Sequence, residues 1–299
     1  MKGHRKVFSG IRLILLAAAI LAVCIFLPQP AVLPEAALTP ASPALLKVDF
    51  LDVGQADCIL IRTPGGKTLL IDAGNNNDYS FIRSYLLENE IAHLDVVIGT
   101  HPHEDHIGGL DRVINDFSVG SVYLPKVTTN TKTFRDLLLA IKDKGLSITT
   151  PRPGLEINLD PAVDIRILAP AEHTYNDLND YSIVMKISYG CTAFLFTGDA
   201  EAVSELEMVH SGQDLKADVL KVAHHGSESS STEAFLAEVA PQYAVISVGR
   251  DNNYGHPAPQ IIDRLSARGV KILRTDEAGT ICFISDGRLI SVILHHSVE

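Results

Sequence analysis

The chain is poor in cysteine. It has four, of which Cys24 falls in an apolar run, while Cys58, Cys191 and Cys282 each sit inside strand-like stretches. An odd number of thiols placed in strands argues against a disulfide framework. Basic charge is also scarce. From residue 45 onward, 21 Lys and Arg stand against 35 Asp and Glu, which opposes a general nucleic-acid groove. Polyanionic substrates are disfavoured without being excluded, because two bound divalent cations would offset part of that charge locally. Only one long hydrophobic run exists, so no multi-helix membrane channel is encoded. No repeat occurs at solenoid periods, and low complexity is confined to one proline- and alanine-rich segment. What is present is a 299-residue chain of 46% hydrophobic content, ample for the core of one large domain or two modest ones.

The single apolar run is N-terminal. Lys2, Arg5, Lys6 and Arg12 precede residues 13–27, and proline follows at once. This pattern predicts a hydrophobic helix over residues 1–27 acting as an export signal or a single membrane anchor, its basic flank kept in the cytoplasm. Fifteen apolar residues are long for a signal core and short for a span of about 20. "LAVC", ending at Cys24, is a poor lipoprotein box because Val23 is bulky. Cleavage near Ala36 or Ala41 is left open. Residues 28–44 carry five prolines and read as an extended tether. Residues 45–299 are then the working domain, either held outside the cell membrane or secreted, with no indication of oligomeric state.

From residue 45 the text is strand after strand: "LLKVDFLDVG", "DCILIRT" and "KTLLIDAG" predict an opening β-meander. "DYSFIRSYLLENEI" has helical periodicity, "LDVVIGT" is a buried strand, and "GGLDRVINDF" begins another helix. A second mixed series runs from "VDIRILAP" to "PAPQIIDRLSARG", followed by the hairpin-like "KILRTDEAGTICFISDGRLISVILHH". Two sheets between helices, an α+β domain with αββα layering, fit this order better than a doubly wound parallel sheet.

The chemistry concentrates in "THPHEDHIGG". Alternation places His101 and His103 on one side of an extended segment, and the following turn brings Asp105 and His106 round to face them. Imidazole suits zinc and its neighbours, and an added carboxylate suits a harder position. A solvated turn with fortuitous histidines is a poor account of four ligand types at this spacing. Distant partners exist. Asp199 in "FLFTGDAE" ends a hydrophobic strand and could bridge two cations about 3.5–4 Å apart. Alone it would read as a helix cap. "LKVAHHGS" ends another strand in His224 and His225, of which His225 is preferred as a ligand, and "RDNNYGHP" delivers His256.

These residues resemble the metallo-β-lactamase superfamily and, within it, the hydrolase domain of the ComEC competence proteins. The matching stretches are "FLDVGQAD", "LLIDAG", "THPHEDHIGG", "NDYSIVMKI", "FLFTGDAE", "LKVAHHGS" and "SVGRDNNYGHP", in the family's order over nearly all of residues 45–298. The resemblance implies an αββα sandwich with a dinuclear centre at one sheet edge, holding two divalent ions, Zn2+ with Mn2+ as the alternative. His101 and His103 would hold the first metal, Asp105 and His106 the second, and Asp199 would bridge. His225, with His224 as the alternative, and His256 would complete the set. Asp72, Asp57, Asn179, Asp180 and Ser182 would orient the ligands through hydrogen bonds. The wider superfamily has a further His before the bridging Asp where this chain has Asn179, Asp180 and Ser182. His173 has workable spacing, yet its polar surroundings read as a surface loop. Ala56 stands where the subfamily usually has Gly.

The implied activity is hydrolysis by a metal-activated hydroxide, steered by Asp105 or Asp199, of a phosphodiester such as DNA in a competence-related role. No serine nucleophile is needed or apparent. Lys221 and Arg250 are candidate contacts to an anionic substrate. The alternatives are a hydrolase of another ester, lactone or amide, and a metal-binding module without turnover. The family's redox branch carries Glu at the position of His103, which disfavours di-iron redox chemistry.

Overall fold

Leu46–Phe50 (β1), Ile59–Arg62 (β2) and Thr68–Ile71 (β3) are short runs rich in leucine and β-branched residues, and they pair antiparallel as the expected meander. The computed structural model describes residues 44–295. The expected anchor (1–27) and the tether (28–44), apart from Ala44, lie outside them. Among the described residues no helix is long and apolar enough to cross a membrane.

After β3 the chain changes direction. In Tyr79–Glu88 (α1), Tyr79, Ile82 and Leu86 are buried at helical spacing. His93–Ile98 (β4), Ser118–Tyr123 (β5) and Ile148–Thr149 (β6) then add parallel strands. Parallel neighbours need crossovers. α1 supplies the first, Glu104–Ile107 (α2) with Leu110–Asp116 (α3) the second, and Lys132–Asp143 (α4) the third.

The second sheet repeats the switch from antiparallel to parallel. Asp164–Ala169 (β7), Val184–Tyr189 (β8) and Thr192–Phe196 (β9) pair antiparallel. Val219–Lys221 (β10), Tyr243–Ile246 (β11) and Lys271–Arg274 (β12) continue in parallel. Ala202–His210 (α5), Glu233–Val239 (α6) and Pro259–Ala267 (α7) are the crossovers. A short helix, Thr275–Ala278 (α8), then returns the chain to the first sheet, where Thr280–Ser285 (β13) pairs with β1 and Ile290–His295 (β14) pairs with β13. The strand orders are β14-β13-β1-β2-β3-β4-β5-β6 and β12-β11-β10-β9-β8-β7.

Strand alternation divides the core. Val48, Phe50, Ile59, Ile61, Met185, Ile187, Phe194, Phe196 and Phe283 form one apolar cluster drawn from both sheets. Within it the rings of Phe50, Phe194, Phe196 and Phe283 lie 5.9–6.5 Å apart. Leu60, Leu70 and Val97, pointing the other way, pack with residues of α1, α3 and α4. On the second sheet Leu195, Leu220 and Ile246 pack with α5, α6 and α7. The α+β expectation of two sheets with helices therefore holds.

Two local expectations change. The helix after the histidine motif begins at Glu104, inside the motif, and restarts at Leu110 beyond Gly108 and Gly109. The final stretch is not one hairpin: β12 belongs to the second sheet, and only β13 and β14 form a hairpin. Gly279, at φ +68°, makes the turn between α8 and β13 that a side chain would strain.

Candidate metal centre

Five strand ends feed one edge. β3 runs into Asp72, β4 into the histidine motif, β9 into Asp199, β10 into His224 and His225, and β11 into the loop that reaches His256. His103 is extended (φ −76°, ψ 151°) and precedes α2, so Asp105 and His106 lie on the first turn of a helix. That turn packs tightly: a Cβ on Gly108 would stand 2.3 Å from Asn76 N and 2.6 Å from Glu104 O. The left-handed region is also used twice in succession, at His224 (φ 49°) and His225 (φ 52°), and again at Asp72 (φ 58°). Non-glycine residues there cost on the order of 1–3 kcal/mol each and cluster at functional sites.

The imidazoles converge on one oxygen. Asp199 Oδ2 lies 3.2 Å from His106 Nε2, 3.8 Å from His101 Nε2 and His225 Nε2, and 3.9 Å from His224 Nε2. Each ring is tied from behind through Nδ1. His106 Nδ1 donates to Asp72 Oδ2 at 2.8 Å, His225 Nδ1 to Ser247 O at 2.8 Å, and His224 Nδ1 to Glu201 Oε1 at 3.0 Å. His101 Nδ1 is 3.2 Å from Thr100 Oγ1 and 3.3 Å from Ser182 Oγ. A proton fixed on Nδ1 leaves the Nε2 lone pair facing inward, the arrangement that metal-ligating histidines require.

The ligand atoms of Asp105, His106, Asp199 and His225 all lie within 4.8 Å of one another. His101 Nε2 and His103 Nδ1, 3.0 Å apart, form an adjoining pair. His224 approaches Asp199 but stands outside the four-residue group. His256 is farther out, half-buried, its ring 5.6 Å from that of His224. On the candidate ligands themselves, three buried polar atoms lack a hydrogen-bond partner among the described residues: His106 Nε2, Asp199 Oδ1 and His256 Nδ1. Orphaned buried polar atoms are rare and need an explanation. Imidazole and carboxylate donors left open in this way fit divalent cations.

Charge shapes the centre. Burial alone would lower the pKa of His106, but the carboxylates of Asp199, Asp105 and Asp72 raise it well above the ordinary value. His225 is raised against burial by Asp199, Asp105 and Asp57. Burial, then His106 and His103, drive His101 well below. Asp199 is held well below the carboxylate range, its burial outweighed by His106, His225 and His101. Asp105 is likewise lowered despite burial, chiefly by His106.

The expected orienting residues take distinct places. Asp72 accepts from Thr100 N, Thr100 Oγ1 and His106 Nδ1. Ser182 Oγ accepts from Asp199 N at 3.0 Å. Asp180 Oδ1 accepts from Glu201 N and Ser204 N, capping the start of α5, and Asn179 Nδ2 donates to Glu201 Oε1. Asp57, Asp72 and His106 make a second buried acidic group, but a cation is already in it: Lys221 Nζ lies 2.7 Å from Asp57 Oδ2. Lys221 is fully buried and also donates to Val222 O, so it cannot reach a substrate as expected. Arg250 donates to Asp276 O. His173 lies on the surface against Glu207 at 2.7 Å, consistent with the loop reading. Sequence reasoning missed Glu201, Thr100 and the Ser247 carbonyl. Glu201, two residues after Asp199 in "GDAE", carried the one available signal.

Two sheets flanked by helices, with buried histidines and carboxylates gathered at their strand ends, define an α+β protein with a cluster that could bind metals. A model of the Metallo-beta-lactamase superfamily matches residues 51–250, and the chain belongs to that superfamily. It is 30% identical over 252 residues to ComE operon protein 3 of Bacillus subtilis, covering 79% of this chain and 32% of that protein. To Competence protein ComA of Neisseria gonorrhoeae it is 31% identical over 238 residues, covering 79% and 32%. The chain thus spans about a third of the length of these curated relatives. The crystal structure of CmlA, a diiron β-hydroxylase from Streptomyces venezuelae, is similar with a TM-score of 0.52 at 16% identity, over 78% of this chain and 53% of that one, a likeness of fold.

Proposed function

We propose that this superfamily member is an exported or membrane-anchored hydrolase of αββα layering that uses two divalent cations, Zn2+ or Mn2+, to cleave a phosphodiester, DNA being one candidate. The convergence of four imidazole nitrogens on Asp199 Oδ2, each ring tied through its far nitrogen, carries this reading. His101 and His103 would hold one cation, Asp105 and His106 the other, with Asp199 between them and His225 and His256 completing the set. A relative named as a competence protein supports a competence-related role.

When bound, the cations supply Lewis acidity and a water of lowered pKa. The chain's own residues orient the reaction. Asp105 keeps 32% of its side chain exposed, against 0–3% for His106, Asp199 and His225, so it is the carboxylate facing the entry. Its lowered pKa keeps it ionised, so besides holding a cation it can accept a hydrogen bond from the attacking water. Asp72, Ser182, Glu201 and the Ser247 carbonyl keep the rings from turning.

The test is metal analysis of the purified protein together with turnover of bis-p-nitrophenyl phosphate against a lactone panel. Asp199→Asn should cost more than about 100-fold, beyond the loss of an outer orienting partner. Full activity in that variant would sink the bridging assignment. Hydrolysis of a neutral ester, lactone or amide is the second reading, favoured by the acidic balance of residues 45–299, and turnover of the lactone panel alone would establish it.

A further inference from the structure

The loop after β11 is pinned from several sides, yet holds a large aromatic ring in solvent. Gln55 Oε1 accepts from Gly249 N at 3.0 Å, tying the loop to the "VGQAD" turn. Thr275 Oγ1 accepts from Val248 N and donates to Val248 O. Inside the loop, Asn252 acts as a staple: its Nδ2 donates to Gly249 O and His256 O, and its Oδ1 accepts from Tyr254 N and His256 N. At the tip Tyr254 is 73% exposed. Its ring lies 5.8 Å from that of His256 at 26°, and the His256 ring lies 5.6 Å from that of His224. Among the described residues, none bonds its hydroxyl.

Such a ring has little to do for the fold. It is an apolar plate beside the candidate metal centre, on backbone that is already ordered, and a side chain with two torsions loses little entropy on binding. The acidic chain lacks the basic surplus that usually tracks a phosphate backbone, so an uncharged contact suits the grip on a nucleotide next to the scissile group. The geometry points to Tyr254 as a stacking platform for an aromatic base of the substrate flanking the phosphodiester presented to His256 and Asp199. This rests on the phosphodiester reading above. Every base has a π-face, so the platform is tolerant of sequence.

The test compares a short oligothymidylate with an abasic strand of equal length, using full-chain, metal-loaded protein and reading both binding and cleavage. Tyr254→Ala should weaken binding of the base-bearing strand and raise its KM on the order of tenfold to a hundredfold. It should leave kcat in place, the mark of uniform binding, and leave the abasic strand unaffected. Tyr254→Phe and Tyr254→Trp should behave as wild type, and an unchanged thermal melt checks the fold. Equal effects on both strands, or none on either, overturn the platform while leaving the hydrolytic reading intact. Wild type that prefers the base-bearing strand but cuts neither, with the preference lost in Tyr254→Ala, sinks hydrolysis and keeps the platform. Failure to bind or cut either strand overturns both.

Discussion

At the residue scale, the centre is organised by what stands behind each histidine. Residue types and spacing made His101, His103, Asp105, His106 and Asp199 legible, because such a density of ligands has few other uses. The partners were less legible: Ser247 acts through its carbonyl and Thr100 is one common residue among many. Burial was hidden too, and Lys221 looked available until the fold closed over it. Asp72 is the most exacting partner, accepting three hydrogen bonds while held at positive φ. Asp72→Ala should lower metal affinity by about 10–100-fold, measured by calorimetric titration. An unchanged affinity would show that His106 needs no orienting carboxylate. Protonation gives a second prediction. In the metal-free protein the raised pKa values of His106 and His225 stabilise fully below their ordinary 6.5, and that stability is lost as pH rises through the folded-state values. Asp199 has the opposite sign, its contribution being present above 3.8 and lost as pH falls through its lowered value. Metal must displace the histidine protons. The melting-temperature gap between metal-loaded and chelator-treated protein should therefore widen from about pH 6 to 9, and a constant gap would contradict it.

At the element scale, the site depends on where strands stop. Alternation and β-branched content signalled the meander and the buried strands, whereas long-range pairing gave no local signal. That is why "KILRTDEAG" read as part of a hairpin although β12 joins the other sheet. The break between α2 and α3 was partly visible as Gly108 and Gly109. The close approach of the backbone of residues 75–76 to Gly108, which leaves no room for a side chain there, was not. Gly108→Ala should destabilise by about 1–3 kcal/mol, as overpacking does, and should loosen metal binding as well, since Ala73 N donates to His106 O in the same contact. Denaturant unfolding with a parallel metal titration checks both, and a loss confined to stability would separate α2 packing from ligand placement.

At the scale of the whole molecule, a bound metal would be coupled to the fold. A ligand present at 100 times its Kd adds about 2.7 kcal/mol to a protein it binds only when folded, so Zn2+ or Mn2+ should raise the melting temperature by several degrees. Removing the metal with chelator should reverse the shift, and an Asp199→Asn variant should show little of it. A melt that is indifferent to both ions would argue against a resident divalent cation.

The pairing of β1 with β13 carries a consequence for biogenesis. These strands are separated by most of the domain, and β13 is the inner partner of the β14 edge. A chain emerging from its N-terminal side offers β1 long before β13 exists, leaving one flank of the first sheet unpaired until residues 280–285 arrive. An open strand flank is a template for wrong partners. Truncation just before residue 280 should thus do more than delete a hairpin: it should leave a domain with all of its candidate ligands present and a persistent tendency to aggregate.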